Sequence, residues 1–385
     1  MPEVERIAAE IDADETIRTL RALVQIPGTT GQERDVAEYV AGRLRGLGAR
    51  VTVDEHWNVL GDLGPRDGPG VLLLTHTDSG PAGTMTDPYS GVVLDGAPFG
   101  KDGRVVYGRG ACAPKAALAA MLAAMAALAP HAGALPGRVQ LAAVTKDLSA
   151  NHEGVREADA IGLLREGICI AGEPSHNAIV LGARGIAHYA VEFEGVPAHW
   201  GRPQDAANPL FALAAFLPSI ERLDLPSDPA LGAATISAFQ VESSAVAPRT
   251  PGTCCVMLDR RVLPQESPEA IRDVLQVLAD QAAASRPRIT ARVGQVSGMS
   301  PYGVSPSAPV VQRVERAVRA ALGRPAEHTY ITFASNAGYL IRVHAMPSVA
   351  LGPGLIGDAG EREHVSVSQV VDAAKVYAAA AAGAS

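Results

Sequence analysis

The run Val71-Leu72-Leu73-Leu74, followed at once by Thr75-His76-Thr77-Asp78, constrains this chain more than any other segment. Four consecutive apolar residues leave no polar face for water. A strand built from them is covered on both sides, as in a parallel sheet packed between helices. His76 and Asp78 then stand at the carboxyl end of a buried strand, the edge of an open α/β sheet where ligands bind. Two further strands are predicted to end the same way. Arg138 to Val144 ends at Thr145-Lys146-Asp147, and Ile168 to Ala171 runs into Gly172-Glu173-Pro174. Three strand ends thus deliver polar residues to one rim.

Apolar residues recur at helical spacing over Glu15 to Val24 and Glu33 to Leu47, the second run stopped by Gly48. Val51-Thr52-Val53 is strand-like, and the alanine-rich stretch Ala116 to Leu128 reads as a helix because Ala has the highest helix propensity. After Gly185 the pattern changes to alternation over Ala187 to Glu194. A helix follows from about Pro209 to Leu223, then strand-like segments around Thr235 to Val241 and Cys254 to Leu258, then a helix from Pro268 to Ala284. The first pattern resumes near Ser297, with a helix over Pro309 to Leu322, a strand at Pro347 to Leu351 and a terminal helix from Val367. Single cores rarely grow past about 250 to 300 residues, so two domains are predicted. A main α/β domain covers 1–183 and 296–385, and a smaller α+β domain is inserted over 184–295.

Composition narrows the function classes. The chain is 47% hydrophobic and 19% charged, with no 18-residue apolar run and no cationic leader before an apolar stretch, which predicts a cytoplasmic protein without a membrane segment. A formal net charge of −8 argues against nucleic acid as a partner, because phosphate binding needs a basic face. Cys112, Cys169, Cys254 and Cys255 contain no C-x-x-C pair, which fits a reducing compartment. Cys112 lies inside a motif, but no His at fixed spacing accompanies it, so a bystander thiol is the plainer reading than a nucleophile or ligand.

Several motifs occur in order along nearly the whole chain: Thr75-His76-Thr77-Asp78, Asp87-Pro88-Tyr89, Tyr107-Gly108-Arg109-Gly110-Ala111, Gly172-Glu173-Pro174-Ser175, Gly195-Val196-Pro197-Ala198-His199, Asp259-Arg260, Ser335-Asn336 and Gly352-Pro353-Gly354. In them the chain resembles the di-zinc aminoacylase and carboxypeptidase family that includes acetylornithine deacetylase, succinyl-diaminopimelate desuccinylase and carboxypeptidase G. The stretch Gly172 to Gly182 and Glu363-His364-Val365 resemble the branch that releases lysine or ornithine from a small amino-group carrier protein. The resemblance implies a zinc-exopeptidase-like α/β/α sandwich with an inserted ferredoxin-like lid that also forms a homodimer.

The family's metal pair is held by a His, a bridging Asp, a Glu, a second acidic residue and a second His, with another Glu as general base. Carried over by motif, His76 and Glu173 are kept, while the bridging position is Ala113, the second acidic position Leu148 and the final His position Ala359. The general-base position is Asp147. Asp78 corresponds to the residue that orients the metal-bound His. Two ligands do not hold a catalytic zinc, so no metal or other cofactor is expected; Cys112, His152, Glu361 and His364 are the conceivable substitute ligands for a single ion. His199 resembles the lid residue that reaches across the dimer to the scissile carbonyl, with a surface His in a turn as the plain alternative. Arg184 and Arg260 resemble carboxylate-binding positions, although Asp259-Arg260 reads equally as a structural ion pair. Asn336 completes the expected substrate contacts, and the family's Asn before the Val-x-Pro turn is Ala245 here.

Hydrolysis by carboxylates alone lacks both activated water and electrophilic polarisation. Crowded, buried carboxylates instead gain proton affinity. Asp147 and Glu173, supported by His76 and Asp78, are therefore expected to bind and deprotonate a substrate amine for cyclisation or elimination on an amino-acid derivative, free or carrier-linked. Two alternatives stay open: a noncatalytic relative pairing with a partner enzyme, and a zinc-dependent amidohydrolase.

Overall fold

The computed structural model describes residues 3–68 and 70–383. They divide into two compact units, one taking the chain up to Gly182 and from Gly303 onward, the other Ala183–Tyr302 with Thr332–Ala334.

In the first unit four parallel strands lie side by side in the order Val139–Val144, Val71–His76, Ile168–Ala171 and Ser348–Ala350. The apolar run sends alternate side chains to opposite layers. Val71 and Leu73 join a core with Leu118 and Val376, from helices Lys115–Leu128 and Val367–Ala381. Leu72 and Leu74 pack with Val155 and Leu340, from helices Glu153–Ala160 and Ala337–His344. Each of the four is at most 1% exposed, and burying such a side chain contributes about 1.5–3 kcal/mol. The expected α/β/α sandwich follows from this two-sided burial. Among the described residues one helix, Lys115–Ala134, is long and apolar enough to cross a membrane, yet its first turns are core, with Lys115 to Leu122 all buried.

One glycine fixes the rim. A Cβ at Gly154 would lie 1.9 Å from the Thr145 carbonyl oxygen, so only glycine lets helix Glu153–Ala160 close onto the strand end that precedes Asp147.

The second unit runs strand, helix, two strands, helix, strand: Gly185–Glu194, Leu210–Glu221, Thr235–Ser243, Thr253–Val262, Pro268–Ala284 and Thr290–Met299. Its antiparallel sheet has Thr235–Ser243 and Thr290–Met299 at the edges and Thr253–Val262 beside Gly185–Glu194 in the centre, the ferredoxin-like order. Both helices cover one face, where Tyr189, Phe193, Val256, Leu258, Phe216 and Leu275 form the core. The unit extends to Tyr302, past the expected limit of 295. Thr290–Met299 is its fourth strand, and only Val293 and Met299 in it are buried, too weak an alternation to read as a strand.

Candidate active site

Asp78 organises the rim of the first unit. It is fully buried, and its carboxylate meets four partners: the Thr30 hydroxyl at 2.8 Å, His76 Nδ1 at 2.9 Å and the backbone N–H groups of Asp147 and Leu148 at 3.1 and 3.0 Å. Burial alone would raise its pKa. The His76 contact and the Leu148 and Thr30 donors overcome that and hold it at about 2. An ionised Asp78 therefore pins the loop that carries Asp147. That loop is also strained, because Lys146, Ala150 and His152 all take left-handed backbone angles, each costing on the order of 1 kcal/mol or more for a residue with a side chain. Lys146 anchors its start through ion pairs to Glu153 at 2.7 Å and Glu157 at 3.1 Å, while its N–H donates to Glu33.

Around this hub the structure brings together His76, Asp147, Glu173 and Asn336. His76 Nε2 lies 3.9 Å from Asp147 Oδ2. Burial disfavours an imidazolium, but Asp147, Asp78 and Glu173 outweigh it and raise the His76 pKa to about 10. Burial raises Asp147, reinforced by Asp78, against the lowering effect of His76 and of the Asn336 hydrogen bond. Glu173 rises to about 8 through burial and the neighbouring Asp147 charge, with His76 and the Ser335 hydroxyl opposing. Near neutrality the cluster thus holds a His76 imidazolium, an ionised Asp78 and a protonated Glu173, with Asp147 raised in the same direction as Glu173.

Asn336 is held within the cluster. Its Nδ2 donates to Asp147 Oδ1 at 2.7 Å, while its Oδ1 meets His152 Nδ1 at 2.7 Å. The amide oxygen can only accept, so His152 donates and fixes which way the amide points. Asn336, expected among the substrate contacts, thus also positions Asp147. Ser335, His152 and Thr30 were missed as site residues. His152 had drawn notice only as a conceivable ligand, and Thr30 carries no sequence signal.

The residues present do not fit a zinc pair. Ala113, Leu148 and Ala359 carry no donor atoms in their side chains, and among the described residues no three His, Cys, Asp or Glu side chains are grouped to hold a metal ion. The conceivable substitutes are engaged elsewhere: His152 with Asn336, Glu361 with Thr84, His364 Nδ1 with the Arg362 carbonyl and Cys112 with the Leu355 carbonyl. Burial also pushes the Cys112 thiol far up, which disfavours the thiolate.

The three remaining candidates belong to the second unit. Arg260 faces the helix-covered core, pairs with Glu266 and donates to the Arg261 carbonyl, so a structural ion pair replaces the expected carboxylate site, with Glu266 rather than Asp259 as partner. Arg184 donates to the Leu231 carbonyl, at 2.9 Å from Nε. His199 is exposed, with Nδ1 accepting from the Gly201 N–H.

Comparison with known proteins assigns the frame. Residues 72–383 match peptidase family M20/M25/M40. The chain is 27% identical to a succinyl-diaminopimelate desuccinylase of Phenylobacterium zucineum over 97% of this chain and 98% of that one. It is 25% identical to the Escherichia coli protein YgeY over 97% and 94%. Among solved structures, the metallo-carboxypeptidase Sso-CP2 of Sulfolobus solfataricus superposes with a TM-score of 0.77 at 16% identity, covering 96% of this chain and 99% of that one. Human carnosine dipeptidase 1 superposes with a TM-score of 0.72 at 18% identity, covering 98% of each chain. The chain belongs to the M20/M25/M40 family of peptidases.

Proposed function

We propose that the protein is a metal-independent member of this hydrolase family that closes a ring on, or eliminates a group from, an amine-bearing amino-acid derivative. The observation that carries the reading is the divergence of the buried carboxyl groups of one rim, Asp78 held at about 2 and Glu173 pushed to about 8. Glu173 keeps a proton near neutrality at about 8, while Asp147 sits between the His76 imidazolium and the Asn336 amide. Groups whose environments push their proton affinities apart divide into acid and base.

In a ring closure, Asp147 accepts a proton from the substrate ammonium and frees the amine. The amine attacks the acyl carbon. His76 supplies positive charge toward the acyl oxygen, the electrostatic part that such a transition state requires. The bond to the leaving group breaks as the carbon–nitrogen bond forms, and the leaving atom takes the Glu173 proton. Nitrogen sheds two protons in all; one recharges Glu173 and the other enters water. Relative to the sequence expectation of two bases, Glu173 is the donor.

A substrate presented by an amino-group carrier protein, homodimerisation through the second unit and a partner enzyme belong to the same proposal and rest on the motif resemblance; cytoplasmic location belongs to it too and rests on composition and cysteine usage. The test uses ornithine methyl ester, free and with chelator, following methanol release and lactam formation against the uncatalysed rate. Acceleration that survives the chelator and falls roughly 10²-fold or more in Asp147→Asn and Glu173→Gln is expected. Abolition by the chelator would return the zinc reading to first place, and no acceleration in an amino-ester panel would favour a noncatalytic role.

A further inference from the structure

The second unit carries a polar row that plays no part in the acidic cluster. Three residues lie directly opposite one another across neighbouring strands: Asp259 on Thr253–Val262, His188 on Gly185–Glu194 and Ser297 on Thr290–Met299. They share the sheet face opposite the helices, since the flanking Leu258, Arg260, Ala187 and Tyr189 are the buried ones. His188 Nε2 lies 3.1 Å from Asp259 Oδ2, and His188 Nδ1 lies 2.8 Å from Ser297 Oγ. Asp259 is itself oriented by Arg261, whose Nε donates to Oδ1 at 2.9 Å.

The carboxylate settles the hydrogen placement. A carboxylate only accepts, so in the neutral tautomer of His188 that suits this pairing Nε2 carries the hydrogen and Nδ1 accepts from the Ser297 hydroxyl. A nucleophile, a base and a residue orienting the base then stand in hydrogen-bond order, the arrangement by which serine is activated on unrelated folds. The two ring nitrogens have exchanged their usual partners, which leaves the acid–base logic intact.

The backbone adapts to this row. Between Gln295 and Ser297 the strand register slips by one residue, a bulge at Val296 that sets Ser297 opposite His188. Bulges of this kind re-aim side chains and recur beside active sites. A second slip, between Ala238 and Gln240, releases Phe239, whose ring lies 5.4 Å from that of His188 and remains 53% exposed. An exposed apolar ring therefore adjoins His188. His188 and Asp259 are 22% and 21% exposed, so the row is accessible without being freely hydrated.

We infer that Ser297, activated by His188 and oriented through Asp259, is a nucleophile for small acyl esters. Ser297 Oγ attacks the acyl carbon while its proton passes to His188 Nδ1. The ester C–O bond breaks and the leaving alcohol takes that proton, leaving an acyl-Ser297 that water hydrolyses with His188 again as base. No metal, redox partner or residue of the first unit enters the reaction.

The full chain is treated with phenylmethanesulfonyl fluoride and, separately, with 4-nitrophenyl acetate. Fluoride leaves as the S–O bond forms in the first reagent, and nitrophenolate leaves in the second. One adduct per chain is expected, assigned to Ser297 by peptide fragmentation, with a matching burst of nitrophenolate. Ser297→Ala should remove both. His188→Gln and Asp259→Asn should each slow labelling, the former by roughly 10²-fold, with circular dichroism melting as the check on folding. Wild-type protein without an adduct, or with the adduct on another residue, overturns the inference whatever the variants do. A labelling rate unchanged in folded His188→Gln overturns the activation.

Discussion

Asp78 and Glu173 are both buried carboxyl groups at the ends of adjacent parallel strands, yet one is held at about 2 and the other pushed to about 8. Their burial is nearly the same, at 0% and 8% exposure. What differs is the number of donors. Asp78 receives hydrogen bonds from four groups on three chain segments, and Glu173 has the Ser335 hydroxyl and a like charge on Asp147. Donors outweigh desolvation at the first group and fail to at the second. One carboxylate is therefore a fixed anion that builds the rim, and the other is a place where a proton can be held and given up.

The contrast is broken most severely at Asp78. Asp78→Asn removes the counter-charge of His76 and turns an amide N–H₂ toward hydrogen-bond donors. A loss of about 3 kcal/mol or more is expected in urea denaturation at neutral pH. The wild-type contribution is present above the ordinary carboxylate range and is lost as pH falls through about 2.

Glu173→Gln should move stability the other way. In the folded state Glu173 holds its proton up to about 8, against 4.5 as the reference value. The wild type thus loses stability as pH rises between those values, and the variant does not. At pH 9 the variant should melt above the wild type, by on the order of 1 kcal/mol or more; a variant melting below the wild type there would place Glu173 with Asp78. His76 has the same sign in a higher window, since its stabilising protonation is complete below 6.5 and lost as pH passes about 10.

His152→Ala sharpens the comparison on a smaller scale. It frees the Asn336 amide to flip and leaves Asp147 with a less certain donor, so a loss of about 1–2 kcal/mol is expected. Asn336→Ala on the His152→Ala background should then add less than it does on the wild type, which a double-mutant cycle reads. The smallest effect belongs to Leu148. Its side chain is 51% exposed and only its backbone serves Asp78, so Leu148→Ala should stay within about 0.5 kcal/mol of wild type.

Much of the first unit was legible because its strands are uninterrupted apolar runs, and a run such as Val71 to Leu74 admits few folds. The ends of those runs also marked His76, Asp78, Asp147 and Glu173. Their partners were not legible. Thr30 lies 48 residues from Asp78, and Asn336 lies 189 residues from Asp147; two of the four Asp78 donors are backbone groups that any sequence would supply. Arg260 was misread because its pairing was sought at the adjacent Asp259, whereas strand alternation sends neighbours to opposite faces and brings Glu266 to it from the following turn. The fourth strand of the second unit escaped for a related reason. It is an edge with few buried side chains, and the Ser297 row lies where polar residues alternate as on any solvated face.

The most direct measurement is a carboxyl-carbon NMR titration of glutamate-labelled protein in the presence of chelator, with the Glu173 resonance assigned by its loss in Glu173→Gln. A midpoint near 8 is expected, with the Asp78 carboxyl in aspartate-labelled protein unchanged until the pH approaches 2. A Glu173 midpoint in the ordinary range near 4.5 would leave no proton to give at neutral pH and would contradict the division into a fixed anion and a proton donor.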